Sequence, residues 1–533
     1  MKRFLSVISL SMAAIGCFAQ LPADTVSAWT LSRNHAGLTT ISSTMSDARL
    51  FISGEQGKMH SPNDAERSVV YGAEASSFYR LNSQTVFSGA ISYSHFFGKK
   101  MGGSAMTLPY DAPFNITEYD DSNRGDKAMD KYRLSGAVGS MIGNGFSIGA
   151  GVDYVAANYA KRKDPRHKNS YMNLLFSPGF TWKRYVNKDD ANPVTYIFGA
   201  NYIYQRSVES LSFRVYGRQD KVAHYLIDYG GYFGIDEQAD GNGYTDPSAE
   251  KPLYDERHGA SVQMEQKFGE RFSWFAQLSL IDRHGHYGEK SPNLLSLSQH
   301  HATEYDVLLR LSLLSSSNKH FLTLSAEHEK MKNYERVSRT VTGEGGLTDV
   351  EYYGKREAGL RETTSLSASY DGYMGRVDVK NISASRLHIG AAIDYLQINR
   401  KASVYPHYRH QQLKSYTISA LAASSLPLHS GLFSIGISPY LSFGSNSSDD
   451  GLYNSNYEEA TPPVSSGIYM QREAEYLTAT KFGITLSGKH ELPLPPSLSA
   501  YIRLDYGFNR AFSIKALEGT TRHILTLSIG CRF

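Results

Sequence analysis

Cysteine is nearly absent: the 533 residues include only Cys17 and Cys531. Cys17 lies in an N-terminal stretch that reads as removable. The single remaining thiol excludes an intrachain disulfide and any cysteine-based metal site. Long apolar runs are missing too. Past the N-terminal stretch nothing approaches the roughly eighteen consecutive apolar residues of a membrane-crossing helix, so helical spans are excluded. An excess of one charge is also missing. Lys and Arg total 55 against 52 Asp and Glu, a formal charge of +3 with no long basic run, which gives no footing for nucleic acid as a partner. No self-similarity of blade length marks a propeller, and no motif sets a nucleophile beside a base, so neither a soluble repeat fold nor an enzyme is indicated.

What is present is polar, glycine-rich and aromatic: 46 Gly, 37 Tyr and a mean hydropathy of −0.38. Lys2 and Arg3 precede a mostly apolar run, Phe4 to Ile15, and Cys17 and Ala19 supply small residues before a cut at Gln20. This is the pattern of a secretory signal peptide over residues 1–19. Ala14-Ile15-Gly16-Cys17 can also be read as a lipoprotein box, but Ala14 stands where such boxes favour leucine.

Period-two alternation runs along nearly all of the remaining chain. From Leu525 to Phe533 one face carries Leu525, Leu527, Ile529, Cys531 and Phe533, and the other Thr526, Ser528, Gly530 and Arg532. Phe272, Trp274, Ala276, Leu278 and Leu280 form another apolar face, as do Leu387, Ile389, Ala391, Ile393 and Tyr395. Strands with one apolar and one wet face suit a lipid-spanning barrel. Short turn-rich links, such as Asn82-Ser83-Gln84 and Gly143-Asn144-Gly145, alternate with long ones: 98–130, 207–256, 282–302, 333–358 and 445–472. The link 371–385 is longer than its periplasmic position predicts. The expected fold is all-β: a transmembrane antiparallel up-and-down β-barrel of about eighteen strands, or sixteen if 49–56 is a strap, with short periplasmic turns and long extracellular loops. Residues 20–47 are expected to form a periplasmic strap or small plug, and residues 48–533 the barrel.

The final aromatic resembles the signal that bacterial outer-membrane barrels present to their insertion machinery. From Trp29 through Asn34-His35-Ala36-Gly37-Leu38 and Asp164-Pro165-Arg166 to Phe176-Ser177-Pro178-Gly179-Phe180, the chain resembles an uncharacterised family of Bacteroidota outer-membrane barrels. The Asn34 to Leu38 stretch is also similar to the Asn-Pro-Ala-Gly stretch of fatty-acid-transporter-like barrels, with His35 in place of the proline. These resemblances imply an outer-membrane location in a Gram-negative cell and a barrel architecture. The expected partners are outer-membrane lipids and the insertion machinery, with companion uptake or surface proteins if the barrel serves a larger uptake system.

Parity assigns Glu74, Arg80, Asp153, Glu304, Asp306, Arg310, Asp394, Lys481, Arg503 and Asp505 to the lumen. They either line a hydrated path or pair across neighbouring strands. An eighteen-strand ring is too wide for side chains alone to fill, so water or a folded-in segment must occupy it, with 21–47 and 207–256 the candidate segments. Asp282, His284, His286, His300 and His301 share one link and are ligand types for zinc or copper, or else solvated loop residues. The acidic loop from Asp228 to Glu256 fails the EF-hand template, because Pro247 stands where its bidentate glutamate belongs. No cofactor is indicated. The function expected is a passive or gated pore or transporter; the alternative is a surface binding module or assembly scaffold with a blocked lumen.

Overall fold

The computed structural model describes residues 27–533 apart from 187–192, 218–221, 249–250, 289–295, 343–347, 455, 457–459 and 496. The expected signal peptide lies outside the described residues. In chain order the strands are β1 (Met45–Gln56), β2 (Arg67–Arg80), β3 (Thr85–Met101), β4 (Asn115–Thr117), β5 (Gly125–Gly143), β6 (Phe146–Lys161), β7 (Arg166–Val186) and β8 (Val194–Arg214). There follow β9 (His224–Asp228), β10 (Phe233–Gln238), β11 (Leu253–Phe268), β12 (Phe272–Gly288), β13 (Ser296–Leu314), β14 (Asn318–Thr342), β15 (Thr348–Val379), β16 (Ile382–Val404) and β17 (His407–Leu428). Last come β18 (Gly431–Leu452), β19 (Val464–Ser465), helix α1 (Gly467–Thr478), β20 (Lys481–Leu494), β21 (Leu498–Ala511) and β22 (Thr521–Arg532).

Eighteen of these strands form one antiparallel ring, closed where β1 pairs with both β2 and β22. Closure leaves no unpaired edge, the condition for crossing hydrocarbon with strands. Residues 49–56 are therefore strand and not strap. The outward face is apolar in the middle: Leu504 and Ile502 on β21, Leu525, Leu527 and Ile529 on β22, and Leu50 and Ile52 on β1 are all exposed. Aromatic rings border this belt. At the short-turn end Phe146 stacks on Phe180 and Phe268 lies against Phe272; at the other end Tyr71 meets His95, Tyr305 meets His328, and Tyr506 meets His523. Such girdles mark the two membrane interfaces. Leu527→Arg, at the belt's centre, is expected to cost about 2–4 kcal/mol of barrel stability in bilayers, whereas Gln412→Arg, on the outward parity above the girdle, costs about 0–1 kcal/mol. Equal urea midpoints for the two variants would contradict the placement of the belt.

Several expected external links turn out to be paired strand. β12 runs to Gly288 and β13 starts at Ser296; β14 runs to Thr342 and β15 starts at Thr348; β18 continues to Leu452. Beyond the membrane both strand faces are polar, so hydrophobic alternation fades while backbone pairing continues. The long periplasmic link expected at 371–385 is absent for the same reason: β15 and β16 continue past the belt and meet at the two residues Lys380 and Asn381.

The four remaining strands form a separate sheet, in the order β19-β10-β9-β4. β4 comes from the β3–β5 loop, β9 and β10 from the β8–β11 loop, and β19 from the β18–β20 loop, so three extracellular loops join in one sheet. Their apolar side chains, among them Phe114, Ile116, Tyr225, Ile227 and Phe233, are buried in a core shared with Phe213, Leu253, Tyr287, Ala358 and Ala402 of the wall. The loops thus fold into the barrel mouth as a hydrophobically packed cap.

Candidate functional site

The lumen is occupied from both ends. At the periplasmic end Ala28–Leu31 and His35–Thr40 form two short 3-10 turns inside the wall. Asn34 shows why this sequence seats there. Its side-chain oxygen caps the second turn by accepting from Ala36 N, while its Nδ2 donates to Phe180 O at 2.9 Å, to Ala200 O at 3.2 Å and to Gln263 Oε1 at 2.9 Å. Trp29 Nε1 donates to Glu265 Oε2 at 2.7 Å, and its ring meets Phe275 edge-on. Ser177 Oγ donates to Arg33 O at 2.8 Å, and Arg80 clasps the segment by donating to Thr39 O and Ile41 O, each at 2.9 Å.

Glycine on the facing wall makes room. A Cβ at Gly149 would lie 2.3 Å from Ala36 N, and one at Gly179 would lie 2.6 Å from Asn34 Oδ1, so neither position tolerates a side chain while the segment is seated. The Asn34 to Leu38 stretch is thus a docking element whose small residues fit a glycine floor.

At the extracellular end the cap is fastened by buried ion pairs. Asp111, on the β3–β5 loop, receives Arg257 Nη2 at 2.9 Å and Arg283 Nη1 at 3.1 Å. Its carbonyl receives Arg283 Nη2 at 2.8 Å, and Ala112 O receives Arg361 Nη1 at 2.9 Å. The wall completes the set. Arg257 also donates to Asp255 and Glu304, Arg283 to Asp255 and Glu329, and Arg361 to Glu329. Burial pushes the Asp111 carboxyl up, but Arg257 and Arg283 outweigh it and hold the group below its usual range. A second clasp joins α1 to the same loop, where Arg472 pairs with Asp121 at 2.8 Å.

A small cleft of about 40 Å³ remains between cap and wall, lined by Asp228, Tyr229, Tyr232, Arg361, Arg400 and Glu473 among others. Arg400 pairs with Glu473 at 2.6 Å, and Asp228 accepts from Gly230 N at 2.8 Å and Phe233 N at 3.2 Å. Burial pushes the Asp228 carboxyl up to about 6, against the opposing pull of Arg400. A carboxyl raised in the folded state stabilises the fold below the unfolded pKa, and that contribution is lost as pH rises through about 6. Asp228→Asn is expected to remove a slope of on the order of 2–3 kcal/mol across that window. Protection of the Gly230 and Phe233 amides, corrected for intrinsic exchange, should fall between pH 4 and 7 in the parent and stay level in the variant.

Most of the expected lumen residues point inward and are pinned. Glu74 pairs with Arg49 at 2.7 Å, Asp153 Oδ1 receives Arg133 Nε at 2.8 Å, Glu304 receives Arg257, and Arg503 pairs with Asp505 at 2.8 Å. Lys481 donates to Tyr476 O at 2.6 Å, and Arg310 lies 4.2 Å over the Phe321 ring. Asp306 and Asp394 face the lumen half-buried. Asp111, Arg257, Arg283, Glu329 and Arg361 were not singled out from sequence, although the alternation Asp255-Glu256-Arg257-His258 carries the signal of two polar faces on one strand.

The five expected metal ligands are divided between the two faces of the wall: Asp282 lies 3.3 Å from His284 Nδ1 and 2.7 Å from His301 Nε2 on the outer face, with His300 on the inner. They sit on paired strands, and strand parity separates neighbours. His300 points inward to Asp255, Nε2 to Oδ1 at 3.0 Å, whereas Asp282, His284 and His301 point outward; His286 stacks on Tyr254. The outward group has a different centre: Glu256, His258 and His284 have ligand atoms within 4.8 Å of one another. Among the described residues of the acidic loop, Asp236 pairs with His224, Asp246 with Lys251 and Asp255 with Arg283, each with a separate partner.

Residues 35–533 match a family of unknown function (DUF6850), to which the chain belongs. No curated protein matches the sequence. Among solved structures the chain is similar to BauA, the ferric preacinetobactin receptor from Acinetobacter baumannii, at 7% identity and a TM-score of 0.40 over 92% of this chain and 80% of that one. It is also similar to the RagAB peptide transporter, at 10% identity and a TM-score of 0.36 over 92% of this chain and 75% of that one. A third likeness is to the CymD monoaromatic hydrocarbon channel, at 9% identity and a TM-score of 0.30 over 98% and 96%. Nothing about cargo follows from likenesses at these values.

Proposed function

We propose that this member of the DUF6850 family is a gated outer-membrane transporter whose resting state is closed, with the cap as external gate and residues 27–41 as a removable periplasmic plug. The supporting observation is the chemistry of the plug's seat. The wall groups that hydrogen-bond it, Gln263, Glu265, Ser177, Arg80 and the carbonyls of Phe180 and Ala200, are polar, beside two small apolar contacts, Trp29 with Phe275 and Ile197, and Leu38 and Ile41 with Val86. Water replaces the polar partners at modest net cost when the plug withdraws, so that the apolar cost is confined to Trp29, Leu38 and Ile41 and their small patches. Withdrawal toward the periplasm also gives a companion protein on that side a segment to pull. Solute crosses when both gates yield together.

The packed cap favours a second reading, a surface binding module with a permanently blocked lumen, because hydrophobic packing and buried charge pairs make a durable lid. Solute depletion separates the two. Cells carrying the chain should deplete at least one class of solute from the medium faster than cells lacking it. Identical depletion across all solutes, with a medium component or surface protein retained only by cells that carry the chain, would overturn transport in favour of binding.

A further inference from the structure

We propose that the outer wall carries a zinc-class metal site formed by His258 and Glu256 of β11 and His284 of β12. Register brings the three together: Glu256 faces His284 and His258 faces Asp282 across the β11–β12 pair, so alternate outward positions on adjacent strands converge. Their ligand atoms lie within 4.8 Å of one another, and His284 Nε2 stands 3.9 Å from Glu256 Oε2. The edge of a tetrahedron with bonds of about 2.0–2.1 Å is about 3.3 Å, so closing on an ion requires side-chain movement of under about an ångström.

The surrounding groups orient the donors. Asp282 Oδ2 lies 3.3 Å from His284 Nδ1, the carboxylate–histidine arrangement that leaves Nε2 free for a metal. Tyr202 Oη lies 2.6 Å from His258 Nδ1, again leaving Nε2 as the ligand. Arg206 Nε, 3.5 Å from Glu256 Oε1, occupies one carboxylate oxygen and leaves Oε2 for the ion. The two imidazoles lie 8° from parallel with centroids 5.8 Å apart, so both edges reach the same side. Below the site the outward faces turn apolar at Ala260 and Leu280, which puts it just outside the hydrocarbon, in reach of the external medium. Two imidazole nitrogens and one carboxylate oxygen, with water as fourth ligand, suit zinc(II) and admit cobalt(II) as a probe. The site sits on the outer wall and needs nothing of the gates.

Calorimetry of the full mature barrel, without a polyhistidine tag, should show one equivalent of Zn²⁺ bound, and Co²⁺ should give the intense visible absorption of four-coordination. His258→Ala and His284→Ala should each weaken Zn²⁺ binding at least about tenfold. Asp282→Asn, which removes a positioning group and no ligand, should weaken it about 10–100-fold with the stoichiometry kept. His300→Ala, on the inner face, should leave it unchanged. Heat-modifiable gel mobility confirms that each variant is folded. Failure of Zn²⁺ to saturate near one equivalent, or parent-like affinity in the folded His258→Ala/His284→Ala double variant, would overturn the site.

Discussion

Valine in place of Gly149 is expected to expel the N-terminal segment from the lumen. An added Cβ there would lie 2.3 Å from Ala36 N and 2.7 Å from Ala36 Cα, both backbone atoms that cannot rotate aside. The wall is paired on both sides of Gly149, with Gly139 on β5 and Gly179 on β7, so it cannot yield either. The segment must therefore leave, which gives up the contacts of Asn34 and Trp29 while the barrel keeps all its strand pairing. Ala36 is 0% exposed. With Cys531→Ala as background, an Ala36→Cys thiol should resist a water-soluble reagent in the parent and react on the order of a hundredfold faster in Gly149→Val, because reactivity follows the population of the open form. Equal rates would mean that the segment does not rest on this glycine.

Arg283→Met is expected to be the most damaging single change in the cap. Arg283 is 1% exposed and its guanidinium serves Asp111, Asp255 and Glu329 together. Methionine keeps much of the volume but leaves these carboxylates buried beside too little positive charge, a loss of about 3–5 kcal/mol for a broken buried pair. The cost falls where the loop meets the wall, so local opening should precede loss of the barrel. Proteolysis of intact cells should cut within 102–124 in the variant and spare the parent, while heat-modifiable mobility persists. If the loop stays resistant, Arg283 is not what fastens it.

The fold was legible because hydrophobic alternation is imposed by lipid, and lipid touches almost every strand. The same dependence explains the misplaced links. Where β12, β13, β14 and β15 rise above the membrane, as at Arg283 and His284, both faces are polar and alternation carries no signal, although the strands stay paired. The metal candidates divide for that reason: read as one loop, Asp282, His284 and His300 share a link, but on strands parity turns His300 into the lumen and the other two outward. Parity assigns Arg80 and Glu304 to the inward face. Their partners, Ile41 O and Arg257, lie 39 and 47 residues away, and only ring closure and register bring them near. The cap was the least legible part, since its sheet draws its four short strands from three loops far apart in sequence.

Ion conductance through single barrels in a planar bilayer tests the double closure most directly. Four forms are compared: the parent, one lacking residues 27–41, one with residues 104–117 replaced by a short glycine-serine linker, and one carrying both changes. With a gate at each end, the first three should carry little or no steady current and the doubly altered barrel should conduct ohmically. Steady current through the parent, or a folded double variant that stays silent, would contradict a lumen closed by these two segments.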